Sequence, residues 1–315
     1  MDQIPVDRNR LEQWLNVYWL RPENALWRTL DVIALEGMEV RQPSLDLSCG
    51  DGIFSFLLAG GHFGREFDIF QGAGNLDDFY DNADIYDAAP EEYDPTITKR
   101  PEYNITVGTD WKPSLLEKAD KLNFYDRLIK HDNNKELPFN NNQFNTIYTN
   151  SAYWVDNIKL HLKEIARVLD DTGTGIIQLK TQALTNFLDL LYEEYSQYLG
   201  SNLIEIIDRG RTDNHAHLYD DTGWEELLSD AGLRVVEKRE PWTWVHTRLW
   251  DIGLRPISPH LIRMSNSLSD PQREAIKDDW IKSYQEMLTP FVDQNLNFGV
   301  PQPPPEIIYV VEPCT

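Results

Sequence analysis

The stretch LDLSCGDGIFSFLLAGG, residues 45–61, constrains the fold more than any other part of the sequence. An apolar run breaks at Gly50 and Gly52, which stand one residue apart with an acid between them, and then becomes apolar again. Glycine has no Cβ, so such a turn lets the backbone approach a ligand closely. The pattern predicts a strand, a ligand-binding turn and a helix that ends at Gly60 and Gly61. A tight turn without a ligand is the alternative.

Strand-like and helix-like segments alternate from this stretch to about residue 240. The predicted strands are residues 43–48, 104–110, 127–132, 144–150, 173–181 and 233–240, and helices are predicted over 113–123, 157–170 and 224–232. The alternation predicts an α/β fold with a parallel sheet covered by helices. Such sheets bind ligands at the carboxyl ends of their strands, where the strand order reverses. Residues 8–38 have apolar side chains at helical spacing and predict N-terminal helices.

Composition narrows the class of protein. The net charge of −23 argues against nucleic acid as a partner, because phosphate backbones require a basic surface. No apolar run approaches the ~20 residues that span a bilayer, and the N-terminus lacks the apolar stretch of a secretory signal. Cys49 and Cys314 have neither disulfide-framework nor metal-ligand spacing. We therefore expect a cytoplasmic protein without a metal.

Two acids fall at the ends of further predicted strands. Asp110 ends the second strand, where a carboxylate can accept hydrogen bonds from both hydroxyls of a ribose. Asp132 ends the third strand, where it can accept a hydrogen bond from an adenine amino group. Together with the glycine turn, these acids favour a ligand that carries adenosine.

Four segments together resemble class I methyltransferases that use S-adenosylmethionine, of the kind with a type 11 methyltransferase domain. They are LDLSCGDG, GTDWKP, HDNNKELPFNNNQFNTIYTNSAYW and HLKEIARVLDDTGTGIIQLKT, in that order, within residues 45–60 and 104–182. The resemblance implies a Rossmann-like, mostly parallel sheet of seven strands, the last one antiparallel. It also implies S-adenosylmethionine as cofactor and methyl transfer as the activity.

The resemblance also implies which residues contact the cofactor. The segment around the methionine part would comprise Asp46, Leu47, Ser48, Cys49, Gly50 and Gly52. Asp110 would bind the ribose, Trp111 would pack on the adenine, and Asp132 would bind its amino group, with His131 at the border of the adenine pocket. Asn150 and Ser151 would face the sulfonium and the acceptor.

The chain departs from the family pattern. Ser48 replaces a frequent glycine, and DDTGTG replaces the usual proline-glycine turn before the fifth strand. The separation from Gly52 to Asp110 is 58 residues, whereas roughly 20 are usual. An acidic insertion, residues 62–103, occupies this separation. It is a solvated surface segment, a lid over the cofactor that carries aromatic residues, or a metal site, although its acids lack EF-hand spacing.

The acceptor end has several candidate residues. A hydroxyl acceptor needs a base to take its proton, and histidine titrates near neutral pH. His217, in a loop with His215, is the first candidate for this role and His246 the second; a surface or helix-capping histidine is the alternative. The candidate acceptor-binding residues are Tyr153, Trp154, Tyr219 and Arg248.

The C-terminal third extends beyond the shared fold. Residues 231–263 hold six Lys and Arg against three acids, and residues 240–268 are rich in Trp. This composition favours a pocket for an anionic or sugar acceptor, or else a helical cap whose arginines pair with the acidic body. The phrase WDIGLRPISPHLIRM also resembles the tails of methyltransferases in bacterial surface-polysaccharide pathways. Residues 301–313 suggest an edge strand or a tail.

The sequence thus divides into an N-terminal helical segment (1–44), a methyltransferase core (45–240) and a C-terminal helical extension on the acceptor side (241–315). We expect methyl transfer to a hydroxyl of a small molecule or glycan. A non-catalytic S-adenosylmethionine-binding partner or sensor is the alternative. A nicotinamide dehydrogenase fits poorly, because Ser55 stands where the dinucleotide fingerprint has its third glycine.

Overall fold

The computed structural model describes residues 6–71, 93–198, 217–252, 255–293 and 302–314. The helices are α1 (Val6–Val17), α2 (Pro22–Ala34), α3 (Ile53–Leu58), α4 (Pro113–Lys121), α5 (Ile158–Val168), α6 (Gln182–Ser196), α7 (Asp221–Asp230), α8 (Trp244–Ile252), α9 (Ser258–Asn266) and α10 (Asp270–Asp293). The strands are β1 (Ser44–Leu47), β2 (His62–Phe63), β3 (Ile97–Lys99), β4 (Ile105–Asp110), β5 (Tyr125–Lys130), β6 (Phe144–Thr149), β7 (Leu169–Lys180), β8 (Leu233–Arg239) and β9 (Glu306–Pro313).

Seven of these strands form one sheet in the order β5-β4-β1-β6-β7-β9-β8. β1 pairs in parallel with β4 on one side and with β6 on the other, so the strand order reverses at β1. β9 runs antiparallel to both of its neighbours. The predicted Rossmann-like sheet with an antiparallel last strand is confirmed, and its ligand-binding position is the carboxyl edge beside β1.

The prediction of an edge strand or a tail near residue 306 is wrong. β9 lies inside the sheet and pairs with strands on both sides: Val311 is opposite Gly175 of β7, and Pro313 is opposite Leu233 of β8. Its central residues are buried because β7 and β8 flank it on both sides. Residues 306–313, assigned by sequence to the C-terminal extension, therefore belong to the core sheet.

Local chemistry explains where several helices begin. Proline occupies the first turn of α2 and α4, where its missing N–H has no helical partner to lose. The Asn157 side chain accepts a hydrogen bond from the Leu160 N–H and caps α5, and Asp220 caps α7 through the Gly223 N–H.

Two hydrophobic clusters cover the faces of the sheet. One cluster joins α1, α2, α3 and part of α10, together with Trp242. The other packs α5 and α7 against the opposite face, which presents residues such as Ile177 and Leu179 of β7. Because strand side chains alternate, Gln178 and Lys180 of β7 face the first layer of helices.

The ends of the acidic insertion are part of the packed structure. β2 and β3 pair antiparallel, and Phe63, Phe67 and Phe70 are buried in the first cluster. Asp68 forms an ion pair with Arg273 of α10 at 2.7 Å. The middle of the insertion, with the aromatic residues of the lid hypothesis, lies outside the described residues, as does His215.

Among the helices in the described ranges, none is both long enough and apolar enough to cross a membrane.

Candidate functional site

The glycine turn lies between β1 and α3 and has left-handed backbone at three positions: Ser48 (φ 67°), Gly50 (φ 58°) and Gly52 (φ 77°). A Cβ on Gly52 would lie 2.8 Å from the Tyr125 ring, so packing alone requires glycine there. A Cβ on Gly50 would meet nothing within 4 Å. Gly50 therefore borders open space, as expected for backbone that a ligand approaches.

Asp110, at the end of β4, fixes this turn. Its Oδ2 accepts a hydrogen bond from the Gly50 N–H at 3.0 Å, and its Oδ1 accepts one from the Lys112 N–H at 2.9 Å. Burial raises the pKa of Asp110, and these two donors oppose the rise. The Trp111 N–H is a third donor, and a carboxylate has about four acceptor positions, so Asp110 keeps capacity for a ligand. The Trp111 side chain beside it is 64% exposed and offers a flat face.

The residues after β5 border the same edge. Asp132 Oδ1 accepts a hydrogen bond from the Asn134 N–H at 3.0 Å, and Oδ2 pairs with Lys135 at 3.2 Å. This hydrogen bond and the lysine lower the pKa of Asp132, whose side chain stays exposed. Asn133, which sequence reasoning missed, donates to Ser48 Oγ at 2.6 Å and so links this loop to the glycine turn.

Asp46 lies beneath the turn. Its Oδ2 accepts hydrogen bonds from Ser55 Oγ at 2.6 Å and from Tyr125 Oη at 2.7 Å. Burial raises the pKa of Asp46 to about 6. The buried carboxylate joins β1, α3 and β5. Leu47 is also fully buried, so its side chain supports the turn from below.

The segment after β6 forms the second half of the edge. Ser151 and Tyr153 are buried, and Ser151 Oγ lies 3.3 Å from Thr149 Oγ1. Asn150 is half-buried, whereas the Trp154 ring is 52% exposed. Trp154 therefore presents a surface to an incoming molecule, while Tyr153 packs below it.

His217 is adjacent to this segment. Its backbone N–H donates to the Tyr153 carbonyl at 3.1 Å, and its Nε2 donates to the Asp156 carbonyl at 3.1 Å. Its ring stacks on Tyr219 with 6.1 Å between ring centroids. With the proton on Nε2, the neutral ring carries its lone pair on Nδ1. Tyr219 is tied to the end of β7 by the hydrogen bond from Gln182 N–H to its carbonyl.

The structure places His246 and Arg248 on α8, in other surroundings. His246 is buried; its Nδ1 accepts from the Thr243 N–H at 3.1 Å, and its Nε2 donates to the Phe291 carbonyl at 2.9 Å. Both ring nitrogens are therefore engaged in joining α8 to α10. Arg248 pairs with Glu194 of α6 at 3.0 Å. Neither residue is brought to the edge that holds His217.

A buried set of charges lies between the sheet and α2, and sequence reasoning did not find it. Lys180, the last residue of β7, forms an ion pair with Glu306 of β9. Its Nζ lies 3.8 Å from the centroid of the Trp27 ring and 4.4 Å from that of Trp242. Asp31 of α2 accepts a hydrogen bond from the Trp242 indole at 3.2 Å. Burial lowers the pKa of Lys180 and raises that of Asp31, and their opposite charges offset part of this.

The residues at the edge fit an adenosyl cofactor. Gly50 borders open space, Asp110 keeps acceptor positions, and Trp111 is exposed. His131 Nε2, next to Asp132, is buried and has no hydrogen-bond partner within the described ranges.

Comparison with known proteins defines the class. Residues 96–177 match the model of the family described as methyltransferase domain. No curated protein sequence matches the chain. The matched residues run from just before β3 into β7, and the seven-stranded sheet that contains them is consistent with a Rossmann-like methyltransferase fold, as the sequence motifs predict. A match to a methyltransferase domain implies S-adenosylmethionine as the cofactor, which agrees with the prediction from the sequence motifs.

Solved structures with a similar fold include three of low identity. The [4+2]-cyclase SpnF is 14% identical, with a TM-score of 0.47, over 92% of this chain and 82% of that one. An S-adenosylmethionine-dependent methyltransferase from Thermotoga maritima, described as a possible histamine N-methyltransferase, is 17% identical (TM-score 0.42; 73% and 78% covered). A TehB-like methyltransferase from Corynebacterium glutamicum is 12% identical (TM-score 0.41; 90% and 87% covered).

Proposed function

We propose that the chain transfers a methyl group from S-adenosylmethionine to a hydroxyl oxygen of a small molecule or glycan. The observation that carries this proposal is the position of His217. Its backbone is hydrogen-bonded to Tyr153, beside the exposed Trp154, and its Nε2–H is fixed by the Asp156 carbonyl. A base with a free lone pair is what a hydroxyl acceptor requires.

In this proposal the residues along the edge from β1 to β5 would hold the cofactor. The turn from Ser48 to Gly52 would hold the methionine part, Asp110 would bind the ribose hydroxyls, and Trp111 and Asp132 would contact the adenine. When bound, S-adenosylmethionine would supply the methyl group in an activated sulfonium form. Asn150 and Ser151, after β6, would face the sulfonium and the acceptor.

The proton follows a short route. In the proposed transfer, His217 Nδ1 would take the proton of the acceptor hydroxyl while the acceptor oxygen forms its bond to the methyl carbon. The bond between that carbon and the sulfonium sulfur would break in the same displacement, and its electron pair would leave with the sulfur as neutral S-adenosylhomocysteine. The Asp156 carbonyl accepts the Nε2–H bond throughout and stabilises the resulting imidazolium. Trp154 and Tyr219 orient the acceptor by stacking, which suits a sugar or aromatic ring. Much of the rate enhancement then comes from positioning.

The N-terminal and C-terminal helices form the acceptor side. α1, α2 and α10 pack together, and α8 contacts α2 through Trp27 and Trp250, 5.3 Å between ring centroids. We propose that these helices cap the acceptor pocket. The net charge of −23 supports an acceptor other than nucleic acid, and the composition supports a cytoplasmic location.

The test uses His217→Gln, with His260→Gln on the exposed surface of α9 as matched control. Release of S-adenosylhomocysteine is measured over panels of hydroxyl and amine acceptors, and cofactor binding by calorimetry. We expect His217→Gln to lower turnover at least 100-fold without changing S-adenosylhomocysteine affinity.

Full turnover by His217→Gln would remove the proposed base. Cofactor binding without turnover on any panel would favour the non-catalytic binding protein. Binding of NAD in place of the adenosyl compounds would overturn the proposal as a whole.

A further inference from the structure

Arg28 of α2 reaches the point where the two halves of the edge meet. Its Cζ lies 5.2 Å from the centroid of the Phe54 ring, in the first turn of α3. Phe54 in turn stacks on Tyr148 of β6, with 5.6 Å between ring centroids and 12° between the planes. The guanidinium is thus above the start of α3, next to the glycine turn and close to the end of β6.

The effect of the Arg28 charge on the pKa values of neighbouring groups agrees with this position of the guanidinium. Burial raises the pKa of Tyr148 and Tyr153, and the positive charge of Arg28 opposes the rise at both. Burial also raises the pKa of Asp51, within the glycine turn, and Arg28 is one of the charges that oppose it. Arg28 therefore acts on both the turn and the segment after β6.

Most of the N–H donors of Arg28 are not used by the residues that the structure describes. A guanidinium has five N–H donors. Nη1 donates to Asp31 Oδ2 at 3.4 Å, a long contact, and the described residues give the guanidinium no other hydrogen bond. Its Cζ lies over the Phe54 ring and also over the Trp27 ring, 5.8 Å from the centroid of the latter. A guanidinium over aromatic rings can keep its in-plane N–H groups available, and the Arg28 side chain is 31% exposed.

Asp31 does not depend on Arg28 alone. It receives the Trp242 indole hydrogen bond at 3.2 Å, and Lys180 is the largest of the charges that lower its pKa against the effect of burial. The long contact to Arg28 is therefore a weak addition to the other interactions of Asp31. An arginine that is stacked, partly exposed and only loosely paired is suited to bidentate binding of a planar anion.

We propose that Arg28 is the carboxylate-binding residue at the methyl-donor end of the site. The proposal rests on the proposed function. Two sources can supply the carboxylate: the methionine part of the cofactor, or an acceptor that bears an acidic group. In either case Arg28 binds the carboxylate of one of the two reacting molecules, the cofactor or the acceptor, and so fixes that molecule relative to His217.

The experiment compares wild type, Arg28→Gln and Arg28→Lys, with Arg234→Gln on β8 as a control far from the edge. Calorimetry measures affinity for S-adenosylhomocysteine, which has the carboxylate, and for 5′-methylthioadenosine, which lacks it. Acetate is then titrated into the S-adenosylhomocysteine complexes, and the arginine Nε–H signals are followed by NMR. Thermal melting checks that each variant is folded.

A loss of at least tenfold in S-adenosylhomocysteine affinity in Arg28→Gln, with methylthioadenosine unchanged, assigns the carboxylate to the cofactor. Unchanged cofactor affinity with saturable acetate binding that Arg28→Gln abolishes assigns it to the acceptor. In both cases Arg28→Lys should recover only part of the effect, because lysine lacks the planar fork.

Two results would overturn the proposal and leave Arg28 as a partner of Asp31. One is that Arg28→Gln changes neither cofactor affinity nor acetate binding. The other is that it lowers the affinity for both adenosyl compounds equally. Failure of the wild type to bind either adenosyl compound is a different result, because it contradicts the proposed function itself.

Discussion

Two regions near the carboxyl edge are built in different ways: the half of the edge around the glycine turn, and the buried set of charges between the sheet and α2. Around β1 and β4, a carboxylate and backbone groups hold one another: Gly50 and Lys112 both donate their N–H groups to Asp110. Around β7 and α2, charged side chains from distant segments hold one another, as Lys180 does with Glu306. The region around the glycine turn uses residues of one short turn and its neighbouring strand. The buried set of charges brings together residues more than a hundred positions apart.

This difference has an energetic consequence. A carboxylate that accepts backbone N–H groups at the edge still has acceptor positions and access to a ligand, so its substitution mainly affects binding. A buried ion pair is costly to desolvate, and removal of one partner leaves an uncompensated charge. Substitutions in the buried set of charges should therefore affect folding more than ligand binding.

The largest effect is expected from Lys180→Met. It leaves Glu306 buried without its cation and leaves Asp31 with only its long contact to Arg28. We expect a loss of about 3–5 kcal/mol in the free energy of unfolding, measured with urea. The matched control is Lys238→Met, whose ammonium pairs with Asp221 and Glu225 at the surface. The control should cost less than about 1 kcal/mol. Equal stability of the two variants would show that the buried charges do not hold α2 to the sheet.

The next effect is a pH dependence at Asp46, beneath the glycine turn. Its pKa of about 6 exceeds the ordinary value of 3.8, so the folded state holds a proton that the unfolded state releases. The resulting stability is present below pH 3.8 and is lost as the pH rises through 6. Wild type should lose up to about 3 kcal/mol relative to Asp46→Asn between pH 4 and pH 7. A constant difference across this window would show that Asp46 titrates normally.

A smaller effect, on binding, is expected from Asp110→Ala. Loss of the hydrogen bonds from the ribose hydroxyls to a charged group should lower S-adenosylhomocysteine affinity by about 2 kcal/mol, roughly 30-fold. Asp120→Ala, on the exposed side of α4, serves as control in the same calorimetric titration. Unchanged affinity of Asp110→Ala would remove the ribose assignment.

The smallest effect is expected from Trp111→Ala. Its ring is mostly exposed, so folding should be unaffected, and loss of adenine stacking should cost about 1 kcal/mol, or fivefold in affinity. Trp154→Ala, also exposed but on the acceptor half, should leave cofactor affinity unchanged. If Trp154→Ala weakens binding more than Trp111→Ala does, the division of the edge into two halves is misplaced.

The backbone-built half was largely predictable from sequence because its signals are local. Gly50, Gly52 and Asp110 occur within short motifs, and strand alternation places them at one edge. The sheet with its antiparallel last strand was predicted in the same way, through four motifs in order. Asn133, although only one residue beyond Asp132, was missed because nothing in its neighbourhood indicates that it reaches Ser48.

The buried set of charges could not be predicted from the sequence, because its members come from segments that only the folded chain brings together. Arg28 and Asp31 are three residues apart on a predicted helix, which reads as an ordinary surface pair. Lys180 at the end of an apolar strand was a usable signal, but its partner Glu306 lies in the segment taken for an edge strand or tail. His246 was a candidate base because of its residue type, and tertiary packing occupies both of its nitrogens.

The position of β9 has a consequence for synthesis of the protein. Within the part of the sheet that the structure describes, β8 pairs only with β9, yet residues 240–305 separate the two strands along the chain. During synthesis, β8 is made before α8, α9, α10 and β9, so its backbone N–H and C=O groups lack their β9 partners until those segments have been added. During that interval its exposed edge is open to pairing with other chains, so a chaperone or the early docking of α10 on α1 would shield the nascent chain from aggregation.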